Sequence, residues 1–100
     1  MTYHGIEIDR EKIAEFCRRH GVAKLSLFGS ILREDFRPDS DIDVLVEFGP
    51  DQVPSLFDLG GMWMELHEMF GREVDLKTPG FLSDYFRDRV QREARTLYAA

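Results

Sequence analysis

The sequence has 100 residues, of which 43% are hydrophobic and 32% charged, and this composition predicts one folded domain spanning residues 1–100 rather than a disordered chain. A net charge of −6 and a pI near 5.0 argue against a protein that binds nucleic acid directly, and favour a basic protein partner. One cysteine rules out an internal disulfide, and neither a signal peptide nor a membrane-spanning run is present, so we expect a cytoplasmic protein that does not enter membranes.

The first predicted helix follows a lead-in of residues 1–8. Asp9 is a suitable N-cap, the helix is expected to reach about His20, and Gly21 is a stop signal. Apolar residues at helical spacing predict its buried face: Ile13, Phe16, Cys17 and His20. Cys17 on this face is predicted to be a small core residue and not a nucleophile, since nothing in the pattern would activate its thiol.

A strand is predicted over residues 22–28, and Gly29 and Ser30 follow it directly. Residues 31–35 have helical composition, so this stretch predicts a strand, a turn and a short helix. Backbone N–H groups and a hydroxyl at the start of a helix favour an anionic phosphate. The alternative is that Ser30 is only a helix cap, with Arg33 solvated.

The next strand, predicted at about residues 42–48, carries two aspartates at its start. Side chains alternate along a strand, so Asp41 and Asp43 should point the same way with carboxylates roughly 6 to 7 Å apart. Two such oxygen donors suit hard cations such as Mg²⁺, which would also relieve their mutual repulsion. Alternatively, Asp41 belongs to a polar turn after Pro38, together with Asp39 and Ser40.

A turn at residues 49–52 precedes a second long helix, predicted to begin at Pro54 and to stop at Gly71. One apolar stripe predicts its core face: Leu56, Leu59, Trp63, Leu66 and Phe70. Gly60 and Gly61 each cost a helix roughly 1 kcal/mol relative to alanine, and close backbone packing is a plausible reason for them.

The last third predicts a strand at residues 72–77, which carries Asp75, and then a helix from Phe81 to about Tyr98. Asp75 is a candidate third carboxylate; the alternative is an edge strand with a charged solvent face. The helix is predicted to turn one set of residues inward: Leu82, Phe86, Val90, Ala94 and Leu97. Its arginines form either a solvated face or, as the less favoured interpretation, a surface that contacts a partner or nucleotide: Arg87, Arg89, Arg92 and Arg95.

This order of elements predicts an α/β (α+β) fold, a small mixed sheet flanked by helices that lie largely on one side. Several known phosphate and metal motifs are excluded. The chain lacks the Gly-Lys-Ser/Thr of a P-loop and the glycine spacing of a dinucleotide fingerprint. An EF-hand loop starting at Asp39 would have Val44 and Pro50 where glycine and glutamate are needed.

The arrangement of Gly29-Ser30, ten residues and then Asp41-Ile42-Asp43 resembles the signature of the polymerase-β-like nucleotidyltransferase superfamily. The short chain is similar to the minimal nucleotidyltransferase (MNT) antitoxins that accompany HEPN ribonuclease toxins. Further similar positions are the residues before Gly29, the loop arginine, the serine before the first aspartate and the later strand: Ser26-Leu27-Phe28, Arg33, Ser40 and Val74-Asp75-Leu76.

The resemblance implies a polymerase-β-like core in which Asp41, Asp43 and Asp75 hold two Mg²⁺ ions, with Asp75 also assisting deprotonation of the acceptor. It further implies a nucleotide site and its residues: Gly29, Ser30, Arg33 and Ser40. The implied reaction transfers AMP from ATP to a hydroxyl, expected to be a tyrosine of a HEPN toxin in a hetero-oligomer, and so neutralises the toxin. Because one helix follows Asp75, we expect the partner and not this chain to supply the acceptor pocket. The alternatives are an antitoxin that neutralises by binding alone and a nucleotidyltransferase acting on a small molecule.

Overall fold

The computed structural model describes residues 2–100, apart from the side chain of Phe81; Met1 of the predicted lead-in lies outside the described residues. The elements in chain order are β1 (Thr2–Tyr3), β2 (Ile6–Glu7), α1 (Arg10–His20), β3 (Val22–Phe28), β4 (Ile42–Phe48), α2 (Leu56–Phe70), β5 (Val74–Lys77), α3 (Asp84–Glu93) and β6 (Arg95–Ala99). The main sheet has the strand order β5-β4-β3-β6, in which only the β4–β5 pair is parallel. This confirms the predicted mixed sheet with helices.

The two faces of the sheet have different roles. Along β4, Ile42, Val44 and Val46 enter the main hydrophobic core, which also contains buried residues of α1 and α2. Alternation along the strand therefore turns Asp43 and Leu45 to the opposite face. Helix α3 lies on that opposite face, where Gln91 contacts Glu47 and Val90 lines a cavity with Asp43, whereas α1 and α2 lie on the core side, so the helices lie largely on one side as predicted.

Helix α1 agrees with its prediction. The carboxylate of Asp9 accepts hydrogen bonds from the backbone N–H groups of Glu11 and Lys12, and the helix ends at Gly21. Cys17 is fully buried, and burial raises the pKa of its thiol to about 12. A thiol held protonated in this way is unreactive, which confirms the prediction that Cys17 is a core residue.

The short helix predicted at residues 31–35 is wrong. Gly29–Leu32 form one 3-10 turn, Arg33 is already extended, and an irregular connection leads to β4. Ile31 is buried and Leu32 is half-buried against the core, so packing requires one tight turn and not a longer helix. Pro38 also disfavours helical backbone in the residue before it.

Helix α2 begins two residues later than predicted, and only Leu59, Leu66 and Phe70 of the predicted stripe belong to the core. Ser55 is the N-cap, and its side chain and that of Asp58 form a reciprocal capping box. The core side consists of buried or half-buried residues: Leu59, Met62, Leu66, Met69 and Phe70. Leu56 is exposed, and Trp63 is 37% exposed, so the prediction that they belong to the core is wrong.

The C-terminal helix is shorter than predicted. Helix α3 ends at Glu93, Ala94 is extended, and β6 pairs antiparallel with β3, because this pairing satisfies backbone groups of β3 that would otherwise form an edge. Leu97 is buried as predicted, but from a strand. Phe86, also predicted to be a core residue, is half-exposed. Within residues 2–100, no helix combines the length and apolar character that crossing a membrane requires.

Candidate active-site cleft

Gly29 brings a carboxylate to the turn Gly29–Leu32, which is predicted to bind phosphate and which we call the phosphate turn. It follows β3 directly, with a φ of +76° that side-chain-bearing residues rarely adopt. A Cβ built on Gly29 would lie 3.1 Å from Cγ of Asp43 and would overlap its Oδ2. Only glycine therefore allows the turn to meet the Asp43 carboxylate at this distance. Ser30 lies next to this contact in the same 3-10 turn.

A second carboxylate, that of Asp75, lies on the neighbouring strand β5. In the parallel register of β4 and β5, Asp43 stands opposite Asp75. Asp75 Oδ1 lies 3.3 Å from Nζ of Lys77 on the same strand, and β5 is an edge strand, as the alternative interpretation held. The indole N–H of Trp63 donates a 2.6 Å hydrogen bond to the carbonyl of Val74, which ties β5 to α2.

The electrostatics of the site converge on Asp43. Burial, followed by the charges of Asp75 and Asp41, raises the pKa of Asp43 to about 6, against the smaller opposing effects of Lys77 and Arg33. Asp41 itself is exposed and lies immediately before β4. The site therefore concentrates negative charge around one half-buried carboxylate, which is a favourable setting for a cation.

A cleft of about 760 Å³ opens beside Asp43. Its lining comes from the end of β3, the 3-10 turn, β4 and α3: Phe28, Gly29, Ser30, Leu32, Arg33, Asp43, Phe86, Arg89, Val90 and Glu93. Four of the predicted site residues thus share one cavity. Asp41, Asp75 and Ser40 are not part of its lining.

The α3 wall of the cleft was not assigned from the sequence. Phe86, Arg89 and Glu93 project from α3, and Arg89 Nε lies 3.3 Å from Oε1 of Glu93. Their spacing of three and four residues places them on one helix face, whereas the sequence pattern predicts Phe86 in the core and Arg89 and Glu93 on a solvated face. The less favoured interpretation, a contact surface, agrees better with the position of Arg89. An aromatic ring and a guanidinium now face the phosphate turn across the cleft.

Aromatic and cationic contacts hold the connection that leads to Asp41. The ring of Phe36 stacks on His4 at 4.8 Å, and the guanidinium of Arg72 lies 4.8 Å from the centre of the same ring. Arg72 also donates a hydrogen bond to the carbonyl of Pro38. Sequence spacing does not predict these contacts, since they join three distant segments of the chain.

Two predicted nucleotide-binding residues have local partners. The hydroxyl of Ser40 accepts a 3.0 Å hydrogen bond from the backbone N–H of Arg37, so Ser40 closes a turn just before Asp41. Arg33 Nε lies 3.1 Å from Oδ1 of Asp35, and its side chain remains more than half exposed at the cleft. Arg33 can therefore reach a phosphate without a rearrangement of the core.

The donor set fits a hard divalent cation. Among residues 2–100, no group of three His, Cys, Asp or Glu side chains is arranged to hold a metal ion by itself. Mg²⁺ usually binds through one or two carboxylates, several waters and substrate phosphates, so a complete protein cage is not required. Asp43 and Asp75, with Asp41 near them, supply such carboxylates beside the phosphate turn.

Comparison with known proteins shows the family of this chain. The model of the nucleotidyltransferase domain family matches residues 10–97. The chain belongs to the nucleotidyltransferase family. It is 41% identical over 85 residues to a candidate protein adenylyltransferase of Methanocaldococcus jannaschii, covering 85% of this chain and 89% of the relative. It is 34% identical over 79 residues to the protein adenylyltransferase MntA of Thermococcus cleftensis, covering 79% and 78%.

Solved structures of this family share the fold. A candidate minimal nucleotidyltransferase, 35% identical, superposes with a TM-score of 0.72 and covers 85% of each chain. A complex of the tri-AMPylated HEPN toxin of Shewanella oneidensis with an MNT antitoxin gives a TM-score of 0.66 at 20% identity, covering 91% of this chain and 70% of the other. The polymerase-β-like core predicted from the sequence is therefore confirmed.

Proposed function

We propose that this nucleotidyltransferase transfers AMP from ATP to a tyrosine hydroxyl of a HEPN-type toxin and thereby neutralises it. The observation that carries the proposal is the contact between Gly29 and Asp43, which joins the phosphate turn and the carboxylates in one cleft. Support for a protein acceptor comes from the relative named protein adenylyltransferase MntA and from the complex that contains an AMPylated toxin. A single free cysteine, Cys17, fits the predicted cytoplasmic location.

Each site residue has a role in this reaction. Asp41, Asp43 and Asp75 would hold Mg²⁺, which when bound supplies charge neutralisation at the phosphates and activation of the attacking oxygen. The backbone at Gly29 and the hydroxyl of Ser30 bind the triphosphate oxygens.

Two arginines at the cleft, one serine and one carboxylate have the remaining roles in the reaction. Arg33 and Arg89 supply positive charge at the cleft, while Ser40 maintains the turn before Asp41. The acceptor oxygen attacks the α-phosphorus, the bond to the β-phosphate oxygen breaks, and pyrophosphate leaves. Asp75 receives the hydroxyl proton.

Neutralisation by binding alone is the second candidate function. Exposed apolar residues on α2 favour it, because such a surface can cover a partner without chemistry. Masking does not, however, require a glycine turn packed against a carboxylate. We therefore rank catalysis first.

The acceptor class can be tested by supplying ATP labelled at the α-phosphate, with Mg²⁺ and one acceptor at a time. The acceptors are a purified HEPN-type toxin protein as the partner and a panel of hydroxyl compounds that includes aminoglycosides. We expect the label on the partner protein, because docking would position its hydroxyl and supply much of the rate. Efficient labelling of a small compound, with the partner unlabelled, would contradict the proposal.

Mg-ATP is expected to stabilise the protein against heat. A ligand that binds only the folded state at about 100 times its Kd contributes about 2.7 kcal/mol, which corresponds to a rise in Tm of roughly 10 °C or more for a domain of this size. Differential scanning fluorimetry with ATP, Mg²⁺ and both together measures this effect. The Asp43→Asn variant is the control and should show little response. An unchanged Tm of the wild type at saturating Mg-ATP would argue against a nucleotide site.

A further inference from the structure

Helix α2 has a second apolar face, directed away from the core. Phe57 is 94% exposed, Leu56 81% and Met64 60%, and Val53 just before the helix is 90% exposed. These are among the largest exposures of apolar side chains in the described part of the chain. They lie close together in sequence, whereas a scattered exposed leucine or phenylalanine would need no explanation.

The exposed face is continuous. Phe57, Gly61 and Met64 are spaced by four and three residues, so they follow one another along the same side of the helix. The core residues Met62 and Leu66 lie on the opposite side, roughly half a helical turn away. One side of α2 therefore packs against the sheet. The other side exposes apolar side chains, with two glycines between them, to solvent. We call Phe57, Gly60, Gly61 and Met64 the outer face of α2.

The two glycines of the outer face have no internal explanation. A Cβ built on Gly60 or Gly61 would have no heavy atom of the described residues within 4 Å beyond its own surroundings in the helix. Close backbone packing, the reason expected for these glycines, is therefore not found among the described residues. Glycine disfavours a helix, and here nothing within the fold requires its small size. Small residues between exposed apolar side chains leave room for the backbone of an external helix to approach closely.

Charge identifies the kind of partner. Helix α2 carries three acidic residues, Asp58, Glu65 and Glu68, and neither lysine nor arginine. Glu65 is already paired with Arg19 at 2.7 Å, whereas Asp58 caps its own helix. A second copy of this chain would oppose acidic helix to acidic helix in a two-fold arrangement, on a protein of net charge −6. A basic partner is favoured instead.

We infer that the outer face of α2 is the docking surface for an amphipathic helix of the partner protein, with an apolar stripe flanked by lysine or arginine. This inference rests on the proposed function, because it concerns where the toxin binds. Helix α2 starts after β4 and returns to the start of β5, so Phe57 lies at the end of the sheet away from Asp43, roughly 20 Å off by the length of β4. Asp43 points to the face of the sheet opposite to α2, so a partner helix packed along α2 would extend toward the end of the sheet that carries the carboxylates, and another part of the partner would reach the cleft around that end.

The test is binding of the purified HEPN-type partner protein, measured by isothermal titration calorimetry. We expect Phe57→Ser with Met64→Ser to weaken binding at least about tenfold, and Gly61→Gln to do so while raising the Tm of the free protein. Tyr85→Ser removes an exposed aromatic residue from α3 and is the matched control, with affinity unchanged. Stabilisation by Mg-ATP should be the same in all variants, since none of these residues lines the cleft.

The outcomes separate this inference from the proposed function. If the α2 variants bind the partner as tightly as the wild type and label it with AMP at the same rate, the docking surface lies elsewhere and the transferase assignment stands. If light scattering shows that Phe57→Ser converts a dimer to a monomer, a second copy covers this face and the inference is wrong. If the wild type neither binds nor labels the partner, both proposals are overturned.

Discussion

Replacement of Asp43 by asparagine is expected to reduce AMP transfer by roughly 10³-fold or more, since loss of a metal-binding carboxylate removes several kcal/mol of transition-state stabilisation. Asparagine has nearly the same shape, so the contact with Gly29 and the strand register should persist. Transfer of label from ATP to the partner measures the effect. A rate equal to the wild type in this variant would show that Asp43 is not part of the metal site.

The same substitution is expected to stabilise the free protein. Because the folded state raises the pKa of Asp43 from 3.8 to about 6, it binds the proton more tightly than the unfolded state does. The stability of the wild type should therefore rise as the pH falls from above 6 toward 4, and the charged carboxylate is unfavourable at pH 7. Allowing for partial exposure, Asp43→Asn should gain about 1 kcal/mol at pH 7, or roughly 4–8 °C in Tm.

Asp41→Asn is the matched control for the combination of lower activity and higher stability expected of Asp43→Asn. Asp41 is exposed, so its replacement should reduce transfer in the same direction and should change Tm less than Asp43→Asn does. Thermal melts of the three proteins at pH 5 and pH 7 without ligand separate the two effects. If Asp43→Asn were less stable than the wild type at pH 7, the unfavourable charge inferred at this position would be refuted.

Gly29→Val is expected to lose nearly all transfer activity and to destabilise the fold. Valine would place its Cβ against the Asp43 carboxylate and would require a backbone angle that costs of order 1–3 kcal/mol for a non-glycine residue. Ser30→Ala keeps the turn and removes one hydroxyl contact with phosphate, so its rate should fall by about tenfold. Measurements of kcat and KM for ATP and a thermal melt for each variant separate the two effects.

The substitution Gly29→Ala tests the steric overlap with Asp43 with a smaller side chain than valine. Gly29→Ala adds only a Cβ, so it should keep much of the loss that Gly29→Val shows if overlap with Asp43 is the cause. Combination of Gly29→Ala with Asp43→Ala removes the overlapping carboxylate and should recover the stability lost to that overlap, whereas the cost of the backbone angle stays and activity stays low. Equal and mild effects of Gly29→Val and Ser30→Ala would mean that this turn is only a connection between strands.

The sequence predicted those parts of the site that depend on local spacing. Gly29, Asp43 and Asp75 were predicted as members of one site, and the structure adds the contact of Gly29 with Asp43 and the register that sets Asp75 opposite Asp43. These positions follow from residues that are close in the chain or on neighbouring strands. The assignment of each residue to metal or nucleotide stays a prediction until the variants are measured.

The errors arose where tertiary contacts decide between two local structures. Residues 95–99 have a pattern that suits a helix, but pairing with β3 makes them a strand. Helix α3 is therefore shorter than predicted. Its residues Phe86 and Arg89 line the cleft, and they do not belong to a core or a solvated face. Helix α2 has apolar residues on two of its faces, and the sequence pattern alone could not indicate which face packs against the sheet. The exposed Phe57 became visible only in the fold.

The most direct measurement of the central claim is the intact mass and ribonuclease activity of the partner after incubation with this protein, ATP and Mg²⁺, followed by separation of the two proteins. We predict that the wild type adds AMP to the partner and leaves it inactive after separation, whereas partner treated with Asp43→Asn keeps its mass and recovers its activity. Recovery of full activity by partner treated with the wild type, or loss of activity without added mass, would contradict neutralisation by AMP transfer.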